Sequence, residues 1–279
     1  MSWRRQVRQL GGLGAAMPRA LLARIFINHR RGARFTGVWQ SRDAASAACP
    51  TKGYDDQGIA DISFDLMCKR AVWDYPLLFW LNRLLPDHPA VLDAGGHMGT
   101  KYIAFSDLLD LTGTRWTVFD LPGIIEAAQA RQSAGDIPAQ ITFASQQEGL
   151  EACDLLICSG LLQYLDKPFA DFVGGLKEAP KYILLNKVAT REGRAMFTSE
   201  RIGQNRVPYH IRDRQLWEAE MGAMGYDVID RWTIPELGHV IPTHPWYGRS
   251  ESRGYVLKLR GAHGAPDCGP TKPRVPSTL

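Results

Sequence analysis

The chain has 279 residues, 45% of them hydrophobic and 22% charged, enough for one large globular domain or one domain with appendages. Its five cysteines form no CxxC pair, and Cys153 and Cys158 lie in an apolar run, so neither a disulfide framework nor a zinc site is expected and a cytoplasmic location fits. No apolar run approaches the roughly 20 residues that span a bilayer, and no cleavable apolar leader opens the chain, so neither an anchor nor secretion is expected.

The net charge of +4 conceals an asymmetry, because residues 1 to 42 hold nine arginines and no acid, leaving 24 basic against 29 acidic residues in the remainder. Residues 1–34 therefore form a basic leader. Interleaved with Leu10, Leu13, Leu21, Leu22, Ile25, Phe26 and Ile27, its arginines read equally as an interfacial helix drawn to anionic lipid at the inner membrane face or as a solvated arm. The arginines are dispersed and no basic stripe follows, so nucleic acid is not an expected partner.

Residues 35–89, with Trp39, Tyr54, Trp73, Tyr75 and Trp80, are expected to be a mostly helical cap. Residues 90–260 then alternate. "PAVLDAG" predicts a strand, "GTKYIAFSDLLDL" a helix, "RWTVFDLP" a strand, "GIIEAAQARQSAG" a helix and "AQITFAS" a strand. "CDLLICSG" and "KYILLNKV" continue as buried strands around the helix "FADFVGGLKEA", and the helix "RDRQLWEAEMGAMG" leads to a closing pair, "YDVIDRWTI" and "SRGYVLKLRG". The expected fold is α/β: a doubly wound, mostly parallel sheet with a closing antiparallel strand, binding its ligand at the carboxyl ends of the strands. Residues 261–279, rich in Gly and Pro, read as a disordered tail.

The turn after the first of these strands, "AVLDAGGHMGTKY", has glycines where a ligand approaches the backbone closely. Twenty-one residues beyond Gly99, Asp120 ends the next strand, where a carboxylate can accept hydrogen bonds from both hydroxyls of a ribose. A nucleoside ligand follows. Ala94, Gly96 and Gly99 also fit a dinucleotide fingerprint, which leaves a nicotinamide-dependent oxidoreductase, or a non-catalytic nucleotide-binding protein, as alternatives. Asp93 favours a cationic ligand, because a carboxylate before the loop attracts an ammonium and repels a pyrophosphate.

"DAGGHMG", "FDLP" and "DLLICSGLLQYLDKP" resemble motifs of the Rossmann-like S-adenosylmethionine-dependent methyltransferases, the glycine loop departing at His97 and Met98. The resemblance implies S-adenosylmethionine as cofactor, held by Asp93, Gly95, Gly96 and Gly99, by Asp120 with Leu121, by Ser145 and Gln146 at the adenine, and by Ser159 and Gly160 at the methionine end. A narrower resemblance, carried by "FTGVWQS", "GYD", "LDAGG", "SGLLQYL" and "GYDVIDRW", is to bacterial methyltransferases encoded with exopolysaccharide genes. It implies O-methylation of a sugar or other small polar acceptor in polysaccharide biosynthesis. The candidate base is His210 in "VPYHIRD", before a helix; His239 and His244 are alternatives, Gln163 and Tyr164 could orient an acceptor, and Lys187 could draw an anionic one.

Overall fold

The computed structural model describes residues 18, 20–22, 33–49, 64–203 and 205–261. The predicted basic leader therefore lies almost wholly outside the described residues, as do Gly53–Asp55, the central part of the cap at 50–63, and the tail beyond Gly261. Among the described residues no helix is long and apolar enough to cross a membrane.

Parallel strands β2 (Ala90–Ala94), β3 (Arg115–Phe119), β4 (Ile141–Ala144), β5 (Leu155–Ser159) and β6 (Tyr182–Arg191) lie in the order β4-β3-β2-β5-β6. The closing pair is β9 (Tyr226–Ile234) and β10 (Glu251–Leu259), and β10 inserts antiparallel between β6 and β9. The sheet is open and doubly wound, as expected. Alternation within each strand explains why these runs are almost continuously apolar, since both faces are covered. Val91, Leu155, Ile157 and Leu184 face one core with α2 (Tyr75–Leu84), α3 (Thr100–Phe105) and α4 (Pro122–Ser133). Leu92, Leu156, Cys158, Ile183 and Leu185 face the other, with α5 (Phe169–Gly174) and α6 (Arg214–Ala223). Each fully buried leucine contributes on the order of 1.5–3 kcal/mol.

The larger departure from expectation is an annex. β6 runs beyond the sheet so that Thr190 and Arg191 pair in parallel with Arg212 and Asp213 of β8 (Asn205–Asp213), which forms an antiparallel hairpin with β7 (Met196–Ile202). β1 (Phe35–Trp39) adds to β7. The expected helical cap is thus corrected at its start: Phe35–Trp39 is a strand, followed by the short helix α1 (Arg42–Ala47), whose first turn is capped by Ser41. α2 falls where helix was expected. The hairpin escaped prediction because its strands alternate with Thr198, Ser199, Glu200, Arg206 and Arg212, polar side chains that the annex buries. Arg206, for example, donates to the hydroxyls of Thr36 and Ser199. The following helix starts later than expected, at Arg214, where Asp213 accepts the N–H groups of Gln215 and Leu216.

Candidate active site

Two of the motif glycines answer to the protein itself. Gly99, at φ +77° on the threshold of α3, would press a Cβ within 2.6 Å of Ile141, and a Cβ on Gly96 would stand 2.6 Å from the Asp93 carboxylate. Neither residue lines the adjoining cleft. Both let the turn close down on the sheet.

Asp93, expected at the cofactor, does not line the cleft. Its side chain is buried beneath the loop, 1% exposed, off the cleft wall, and neither oxygen makes a well-formed hydrogen bond. Burial raises its pKa to about 7, against the pull of Lys101. In the unfolded chain the same carboxyl ionises near 3.8. The folded state therefore loses stability as pH rises between about 4 and about 7, the loss being complete above that. Asp93→Asn keeps the shape and removes the titration. In urea unfolding of the ligand-free protein, the variant's advantage over the parent is expected to grow across that window; a constant difference would mean Asp93 ionises normally.

Above the loop opens a cleft of about 1160 Å³, more than one drug-sized ligand fills. Of the predicted cofactor residues, Gly95, Asp120, Leu121, Ser145, Ser159 and Gly160 line it together, beside His97. Asp120 is clasped on both oxygens, Oδ2 accepting the His97 N–H and Oδ1 the Leu121 N–H, each at 2.8 Å. Burial raises its pKa while these two bonds lower it, and the bond from His97 ties the glycine turn to the end of β3. Three buried polar atoms on the wall make no hydrogen bond with the described residues: Ser159 Oγ, Gln163 Oε1 and His239 Nε2. Buried polar atoms are nearly always satisfied, so a wall carrying three such atoms is built for a polar ligand.

His210 is not on that wall. It lies within β8, its ring stacked on Phe197 at 4.3 Å, and burial beside Arg212 and Arg42 pushes its pKa down to about 3. The expectation that it is the base is therefore corrected. His239 does line the cleft, stacked on Phe35 at 3.6 Å, with burial taking its pKa to about 4. His244 bonds Thr243 and lies off the wall.

Opposite the strand ends stands a wall that the sequence did not reveal. Glu200 of β7, 1% exposed, accepts the Nε–H of Arg34 at 2.7 Å and the hydroxyl of Tyr164. Phe35, Tyr209 and His239 surround it with ring faces and edges. No local pattern marks this group, because it exists only where β1 meets β7. The cleft thus has a polar end over the strand termini, suited to a nucleoside, and an aromatic end with one buried carboxylate.

No family model and no curated protein matches the chain. Among solved structures it is similar to the glycopeptide N-methyltransferase MtfA complexed with (S)-adenosyl-L-methionine, at 16% identity over 68% of this chain and 94% of that one, with a TM-score of 0.45. It is also similar to the N-terminal domain of EvdMO1 with SAH bound, at 13% identity over 68% and 82% of the two chains, TM-score 0.47. A third is the 1,6-didemethyltoxoflavin-N1-methyltransferase of Burkholderia thailandensis, at 16% identity over 74% and 80%, TM-score 0.42. All three likenesses are remote.

Proposed function

We propose that this protein is an S-adenosylmethionine-dependent methyltransferase acting on the oxygen of a sugar or other small polar acceptor. The observation that carries the reading is Asp120, a clasped carboxylate at the end of β3 that faces the cleft beside the glycine turn. The antiparallel insertion of β10 supports it over a dinucleotide enzyme, whose sheet more often continues parallel.

The residues present fit the cofactor. Asp120 would hold the ribose hydroxyls, with Leu121 and Ser145 toward the base, while the unpartnered Ser159 hydroxyl at the end of β5 would meet a polar atom of the methionine part. Bound there, the cofactor supplies an electrophilic methyl group on a sulfonium. The protein's own part is alignment, which is worth several kcal/mol when acceptor and methyl are held in line. The aromatic wall offers faces to an acceptor ring, and Gln163 offers a carbonyl to an acceptor hydroxyl. A methyltransferase in polysaccharide biosynthesis is the setting that the motif resemblance favours.

Calorimetry with S-adenosylhomocysteine and with a reduced nicotinamide dinucleotide tests the reading, together with mass spectrometry of the purified protein for retained cofactor. Binding of the thioether in the micromolar range, with no binding of the dinucleotide, is expected. The reverse preference would make the protein an oxidoreductase.

A further inference from the structure

Within β6 the ladder is interrupted where the cleft begins. Leu185 pairs with Tyr255 and Val188 with Arg253, so Asn186 and Lys187 together oppose Gly254 alone, a bulge in the strand. Lys187 takes φ +59°, a conformation that side-chain-bearing residues rarely adopt, and outside glycine only His97 shares it among the described residues. Asn186 holds the bulge in place, donating to the Trp73 carbonyl and accepting the Trp232 indole N–H. Strain held so firmly at the lip of a cleft marks a side chain that has been aimed.

The aim is toward the end of β5. A Cβ built on Gly160 would lie 3.3 Å from Lys187 Cε and 3.4 Å from Nζ, so the amine sits directly over the turn that follows Ser159. It lines the cleft, yet makes no hydrogen bond or ion pair with the described residues. The neighbouring Lys101, by contrast, is paired with Asp74 at 2.7 Å.

We propose that Lys187 is the base that takes the acceptor's proton during methyl transfer, an inference that rests on the methyltransferase reading above. As the acceptor oxygen bonds to the methyl carbon, the electron pair of the carbon–sulfur bond returns to sulfur. The acceptor's proton passes to Nζ. The products are the methylated acceptor, a neutral thioether and a lysine ammonium that later releases its proton to solvent. Burial brings the pKa of Lys187 down to about 8, Lys101 of α3 lowering it further while Asp74, from the turn before α2, and Asp93 of β2 pull it upward. About a tenth of the amine is then free at pH 7 and about half at pH 8. His239, with a pKa of about 4, is far too weak a base to compete.

The test uses the full-length protein and two ligands: S-adenosylhomocysteine, and sinefungin, in which a carbon bearing an ammonium group replaces the methylsulfonium. An ammonium at the methyl position is repelled by protonated Lys187 and tolerated by the free amine. Sinefungin affinity relative to the thioether is therefore expected to rise about tenfold from about pH 6.5 to about pH 8.5 in the parent. It should stay flat in Lys187→Met and remain low throughout in Lys187→Arg, whose side chain keeps its charge. Trinitrobenzenesulfonate labelling read by peptide mass spectrometry should also show Lys187 becoming reactive near pH 8, below the surface lysines. An affinity ratio identical in all three proteins, with thioether binding intact, would overturn the assignment of Lys187 alone. Loss of thioether binding in the parent would remove the cofactor reading as well.

Discussion

Asp120→Ala is expected to weaken binding of S-adenosylhomocysteine by roughly 10- to 150-fold, about 1.5–3 kcal/mol, the range for hydrogen bonds made to a charged group. Two effects act together. The alanine removes the acceptor for the ribose hydroxyls, and it releases the His97 N–H, so the glycine turn loses its tie to β3. Asp120→Asn separates them, because the amide oxygen can keep one of the two backbone bonds while the charge is lost. An intermediate affinity is expected for it. Calorimetry checks both variants, with thermal unfolding to confirm that the sheet survives, as it should for a residue just beyond a strand end. Unchanged affinity in the alanine variant would take Asp120 out of the site.

The largest effect on stability is expected from Asp74→Ala. The Asp74 side chain is 1% exposed and that of Lys101 is 8% exposed, with 2.7 Å between Oδ1 and Nζ. Asp74 also accepts the Ala71 N–H at 2.9 Å, starting the turn that leads into α2. The pair therefore fastens the segment before α2 to α3, the helix that follows the glycine turn. Removing one partner of a buried ion pair strands the other charge in a medium that solvates it poorly, and costs about 3–5 kcal/mol. Lys101→Met should cost less, since methionine keeps the packed stem of the lysine, whereas alanine at 74 also removes the acceptor of the Ala71 N–H. The double variant should recover much of the loss, because neither charge then remains to be desolvated. Urea unfolding of the four proteins measures the coupling, and strictly additive losses would show that the two side chains do not interact.

Much of the parallel sheet could be read from the chain because its information is local. A strand covered on both faces must be apolar throughout, as in "VLDA" and "DLLICS", and each such run is followed by helical spacing. The glycine turn and the acid of "TVFDLP" were legible for the same reason, and six of the expected cofactor residues meet at one cleft. What the sequence could not express is which polar residues are interior. Phe35 lies opposite Glu200 in the β1–β7 pairing, far apart along the chain, so nothing near either residue announces the other. Glu200, Arg206 and Arg212 are buried only once the annex has formed, and His210, expected before a helix, lies inside its strand β8. Asp93 was placed in the right turn, but that its carboxylate lies beneath the loop and off the cleft wall is decided only by how the turn closes on the sheet. Lys187 depends on a single extra residue in a ladder, visible only once β6 is paired with β10. Periodicity records which face of an element is buried by its neighbours in sequence. The direction of an individual polar side chain is set by pairings between distant segments, and these exist only after the chain has closed on itself.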